Sequence, residues 1–262
     1  MQARRSAALH RQAGFSIVEL MLVVAATVIL LAVLIPTLSQ ARRVSYLEEC
    51  TSHQVQIGQG WGLYLIDNRQ RFPLVLTRPG WDYGGVRLSS VDGSASLDPF
   101  RPLSPYVPDL ADASAADAFR CPADDGLAPV DEPRRAGWRT AYEAYGTSYR
   151  ANHNLLDASR LGSSTVPRAV RRGELLNSPS QIVVMGDPEW YEAYEQSGRR
   201  AHWHGSRGES NMLFLDGSVR FRTVLPRGEP SPVVIEPQIR PREPMPPGGV
   251  SPMAEPRERA ES

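Results

Sequence analysis

The pattern of apolar and polar positions divides the chain unevenly. Residues 1–14 are polar and carry Arg4, Arg5 and Arg11 without an acid. From Leu20 to Ile35 every residue is apolar except Thr27. Counted from Phe15, the segment runs 21 residues to Ile35. At ~1.5 Å per residue, a helix of that length crosses a hydrocarbon core of about 30 Å. Beyond Pro36 the pattern narrows to one face: Val44, Leu47, Thr51, Val55, Gly58, Trp61 and Leu65 recur every three or four residues. Asp67-Asn68 and Pro73 mark the end. One helix over about 15–68 follows, its first half in membrane or filament core and its second half packed on a domain. Gly58, Gly60 and Gly62 each weaken it by roughly 1 kcal/mol relative to Ala, so docking must hold that part.

Residues 74–178 have little periodicity and much Gly, Pro, Ser and Asp, which predicts long surface loops with short elements. Ile182–Met185 is a short β-branched run. Asn211–Leu215 and Ser218–Arg222 flank Asp216-Gly217 and read as a β-hairpin with a two-residue turn. In that register Phe214 faces Val219 and Met212 faces Phe221, placing those four in the core and Arg220 on the other side. The expected fold is α+β: a long N-terminal helix on a small antiparallel sheet in an exported domain over 69–225. From Pro226 on, ten of the last 37 residues are Pro among charges of both signs. That composition predicts a tail over 226–262 without core or ladder.

Charge adds little. Formal net charge is zero, which gives no electrostatic footprint for nucleic acid. All 29 basic residues are Arg. The Arg cluster before the apolar run places the N-terminus on the cytoplasmic side and the remainder beyond the inner membrane. Cys50 and Cys121 suffice for one bridge if the domain lies outside the cytoplasm. Such a bridge closes about 70 residues and adds roughly 4 kcal/mol. Two separate thiols, with Cys50 buried, is the other reading.

The boundary of the apolar run reads Arg11-Gln12-Ala13-Gly14-Phe15-Ser16-Ile17-Val18-Glu19-Leu20. This resembles the processing site of type IV prepilins and pseudopilins. The resemblance implies cleavage after Gly14 by a prepilin peptidase, a methylated Phe15 amine, and Glu19 as fifth mature residue; Pro36 falls at the family's helix-kinking position. A carboxylate in an apolar helix is costly unless paired. Glu19 can pair with the Phe15 amine of a neighbouring subunit and set the assembly register, or cap its own helix dipole. A secretory signal cut after Ser39-Gln40-Ala41 and an uncut anchor are the competing readings. Blocks from Cys50 to Pro73, Phe119–Pro122, Tyr145–Tyr149 and Ser180–Asp187 resemble a subfamily with a C-terminal His, nine residues, Asp-Gly motif. Here His204, Asp216 and Gly217 match it with eleven intervening residues.

Asp187, Glu189, Glu192, His202, His204 and Asp216 invite a metal reading, but their spacing fits no specific zinc pattern. Some major pseudopilins bind calcium through oxygen ligands, which would suit Asp187 and Asp216. Arg168–Arg172 reads as a solvated basic surface. No nucleophile elbow or phosphate loop is present in the sequence, so an enzyme is not expected. The leading expectation is a filament subunit of a type II secretion pseudopilus or type IV pilus, with sister subunits and assembly machinery as partners. The alternative is a membrane-anchored binding module that does not polymerise.

Overall fold

The computed structural model describes residues 16–88, 95–97, 101–107, 117–127, 140–161, 167–196, 203–204 and 208–240. Gly14, Phe15, His202 and the tail beyond 240 lie outside them.

Helix α1 runs unbroken from Ile17 to Asp67 with Pro36 inside it. Ser16 caps it: its hydroxyl accepts from Val18 N, and Glu19 Oε2 accepts from Ser16 N at 3.0 Å. Its apolar first part is exposed along its whole length, and by length and composition it is able to cross a membrane. The second part buries Cys50, Gln54, Ile57, Gly60, Trp61 and Leu65. The buried stripe is therefore turned from the one the sequence suggested: Val44 and Val55 are exposed. The reason lies in the partner. Asn211 and Leu213 of the sheet meet the helix at Thr51 and Gly58, and a polar side chain, Gln54, takes an inward position.

The sheet that receives α1 is antiparallel, in the order β3 (Arg150–Ala151), β4 (Val183–Gly186), β5 (Glu209–Phe214) and β6 (Val219–Thr223). A separate hairpin pairs β1 (Val86–Leu88) with β2 (Ala95–Leu97). Among the described residues three short α-helices follow, α2 (Ala141–Tyr145), α3 (His153–Leu156) and α4 (Glu189–Glu195), together with short 3-10 turns at Ser104–Tyr106, Ala158–Leu161 and Arg172–Glu174. The class is α+β.

The β5–β6 hairpin departs from the expected register by one residue. Leu213 pairs with Val219 and Met212 with Arg220. Phe214 N donates to Ser218 O and Gly217 N to Phe214 O, so Leu215, Asp216 and Gly217 form a three-residue loop. Gly217 takes φ +85°, the left-handed position that such a loop requires and that glycine adopts without a Cβ penalty. The slip reassigns the faces. Leu213 and Leu215 join the main core under α1, while Met212 and Phe214 pack with Trp190 of α4. Arg220 lies over the Phe214 ring at 4.1 Å instead of pointing away from it.

Two further expectations are corrected. The 74–178 region supplies much of the core, not only surface loops. Trp81 stacks on Tyr145 with centroids 4.3 Å apart, and Tyr83 stacks on Trp61 at 5.7 Å. Aromatic side chains spaced without period fill the space around α1 from irregular backbone. The domain also extends past 225: Val234 bridges Ile182 in parallel, Ile239 bridges Leu175, and Val233 and Ile235 are buried against β4 and β5. The apolar run Val233-Val234-Ile235, set among prolines, is long enough to add an edge to the sheet.

Candidate functional site

Where α1 crosses the ends of β4 and β5, chemistry-bearing side chains converge from four segments. Cys50 of α1 forms a disulfide with Cys121 of the 117–127 segment. His204 lies against it, with Nε2 3.1 Å from Cys121 Sγ. Asp187, just past β4, places Oδ2 3.9 Å from the same ring nitrogen. The His204 and Asp187 side chains are 2% and 3% exposed, so the junction is dry.

Each group is held. Gln54 Nε2 donates to Asp187 Oδ1 at 3.1 Å and to Asn211 O at 3.2 Å. Asn211 N donates to Asp187 Oδ2, and Asn211 Nδ2 to Thr51 Oγ1. Ser210 Oγ donates to Asp187 O. Cys121 N donates to Ser148 Oγ, and Ser148 Oγ donates to Asp124 at 2.7 Å. Asp124 also accepts from the N–H groups of Gly126, Ala141 and Tyr142. Trp203 Nε1 donates to Gly126 O, which anchors the residue beside His204. On the adjoining turn of α1, His53 Nδ1 pairs with Arg120 O at 2.8 Å. Since a carbonyl only accepts, that nitrogen carries the proton.

The dry setting governs ionisation. Loss of solvation pushes the Asp187 carboxyl up to about 7, against the opposing donors Asn211 N–H and Gln54, with Asp124 and Glu189 adding repulsion. Burial pushes His204 down to about 4. At neutral pH the pair is a neutral imidazole beside a carboxyl group near its midpoint. Asp124 is raised by the same desolvation, offset in part by its hydrogen bonds.

Of the six residues that suggested a metal cluster, His202 lies outside the described residues, and the other five go to different places. Asp187 and His204 meet. Glu189 Oε1 accepts from Gly208 N. Glu192 pairs with Arg150 at 3.1 Å, where Arg150 also lies over the Tyr191 ring. Asp216 sits on the exposed hairpin loop, accepting from Ser218 N and Oγ. It caps a turn. Arg168 of the basic run pairs with Glu174. Gln54, Asn211 and Asp124, which organise the junction, carry no sequence motif. The one local signal was Gln54, a polar residue four positions after Cys50 on the helix.

Family models, curated proteins and solved structures were all compared with the chain, and none matches it.

Proposed function

We propose that the chain is a structural filament subunit of the type IV pilin and pseudopilin class. In this reading a prepilin peptidase cuts after Gly14, and Phe15 becomes the methylated N-terminus. The subunit then enters a pseudopilus or pilus-like filament from the inner membrane through α1, with its domain on the extracytoplasmic side. The observation that carries the reading is the continuity of α1. One 51-residue helix passes from a fully exposed apolar shaft into a domain's core, so a rigid body is attached directly to an apolar rod. Apolar shafts of sister subunits bury one another when they bundle, at roughly 25 cal/mol per Å² removed from water. Glu19, one turn from Phe15, supplies the charge that pairs with a neighbouring amine and sets the axial register.

The test is Glu19→Ala in the native membrane. Processing at Gly14 should persist, seen as an intact mass beginning at N-methylated Phe15, while incorporation into sheared filaments drops at least about tenfold. Normal incorporation of the variant, or a wild-type mass starting at Met1 or after Ala41, would sink the reading. A chain that is processed yet never enters filaments would favour the anchored binding module.

A further inference from the structure

We propose that, once reduced, Cys50 and Cys121 join His204 in a buried site for a borderline-soft divalent cation of the zinc class. The disulfide and the metal are then alternative links between α1 and the 117–127 segment.

The ligand atoms are already together: two sulfurs and a ring nitrogen within 4.8 Å of one another. They come from three separate segments, and the cysteines are 0% and 1% exposed. A tetrahedral zinc with Zn–S about 2.3 Å and Zn–N about 2.0 Å sets S···N edges near 3.5 Å and N···O edges near 3.3 Å. The observed His204 Nε2 to Cys121 Sγ distance is 3.1 Å and Nε2 to Asp187 Oδ2 is 3.9 Å. Asp187 thus offers the fourth ligand, already oriented by Gln54 and Asn211 N. Thiolate, imidazole and carboxylate are a donor set for zinc, not for calcium.

His204 supplies the independent observation. Its Nδ1 is buried and has no hydrogen-bond partner among the described residues. Its Nε2 faces a sulfur that, in a disulfide, carries no proton and accepts only weakly. Among the described residues, the oxidised protein thus gives Nε2 only this weak sulfur contact and the Asp187 carboxyl 3.9 Å away, fewer full-strength partners than a buried polar group usually has. A metal uses the Nε2 lone pair directly. Two thiolates balance the divalent cation, and the Asp187 carboxylate leaves the filled site with a single net negative charge, borne beside the donors Gln54 and Asn211 N–H. With four protein ligands it is closed, as structural rather than catalytic zinc sites are.

The chemistry balances in two steps. A phosphine takes one oxygen from water as the S–S bond breaks, giving phosphine oxide and two thiols. The cation then displaces both thiol protons, and the Asp187 proton where that carboxyl holds one, to solvent, forming two metal–sulfur bonds, one bond to His204 Nε2 and one to the Asp187 carboxylate, with no change in its oxidation state.

The experiment uses the full chain in detergent, reduced with a phosphine under anaerobic conditions, freed of reductant and titrated with Co²⁺. Two free thiols per chain are verified first. The expected result is one Co²⁺ per reduced chain, with thiolate-to-cobalt charge transfer and the intense visible bands of tetrahedral geometry. Zn²⁺ should displace it, and the oxidised chain should give no such spectrum. Both His204→Ala and His204→Gln should weaken binding at least about tenfold. No cobalt spectrum from a chain with two free thiols overturns the proposal. So does equal affinity in the wild type and both His204 variants, the result a reduced, unfolded chain would give through its thiols alone.

Discussion

The two halves of α1 are one continuous helix with opposite fates. From Ile17 to about Leu38 its side chains are apolar on every side and exposed; Leu30 is 70% accessible. From Cys50 to Leu65 one face is buried, Gln54 among it, while Val55 and Leu63 on the other face are exposed; Trp61 is 3% accessible. Hydrophobicity alone does not place a residue inside a domain. What separates the halves is whether other parts of the same chain return to cover them. The second half is covered by β5, the Tyr106 turn and the aromatic residues of the irregular middle. The first half has no cover among the described residues, and under the proposed function its cover is lipid and sister helices.

The largest expected contrast comes from truncating one side chain in each half. Trp61→Ala removes a ring stacked on Tyr83 and should cost about 3–5 kcal/mol of domain stability. Leu30→Ala should leave domain unfolding within about 0.5 kcal/mol of the parent. Denaturant titrations of the full chain in detergent, followed by near-ultraviolet dichroism, check both. Equal losses would mean that the shaft contributes to the domain's fold.

A smaller effect separates the dry junction from the exposed shaft by pH. The folded Asp187 value, raised to about 7 from 3.8, means that the folded state holds a proton which the unfolded chain releases. Its contribution is fully present below about 4 and is lost as pH rises towards 7. His204, lowered to about 4 from 6.5, acts oppositely: its contribution is present above 6.5 and is lost as pH falls through 4. Asp187→Asn keeps His204 and removes only the first titration. With the disulfide intact, wild-type stability should fall relative to Asp187→Asn between pH 4 and 7, by roughly 2–4 kcal/mol. Parallel stability curves would place the Asp187 carboxyl in a wetter setting than the structure gives it.

The smallest effect sharpens the comparison inside the packed half. At Gly62 an added Cβ meets nothing within 4 Å, so Gly62→Ala should stabilise by about 0.5–1 kcal/mol through helix propensity. At Gly60 the same Cβ comes 3.1 Å from the Tyr106 carbonyl oxygen, and Gly60→Ala should show no gain. Equal gains at both positions, measured as midpoint shifts in thermal unfolding, would mean that the helix does not approach the Tyr106 turn so closely.

Much of the helix was legible because its signals are local. The apolar run and the stop near Asn68 each lie within a turn or two of what they control. The hairpin was legible as an element but not in register: Asp-Gly serves either a two-residue or a three-residue loop, and one extra residue exchanges the faces of the strand. The site was legible only in its ingredients. Cys50, Cys121, Asp187 and His204 stood out as residue types, yet Asp216 and Glu192 stood out equally and lie elsewhere. Proximity across more than a hundred positions leaves no periodic trace.

The sequence by itself determined the long apolar-then-amphipathic helix, the α+β class and the turn at Asp216-Gly217, since each follows from propensity, spacing and backbone allowance over a few residues. The tertiary structure decided which face of α1 is buried, which side of β5 meets it, and that Val233–Ile235 returns to the sheet from a Pro-rich stretch. It also decided that Cys50, Cys121, His204 and Asp187 share one dry junction. Those outcomes depend on packing among segments far apart in the chain, where the volume to be filled and the polar groups to be satisfied select one arrangement from many compatible with the local signals.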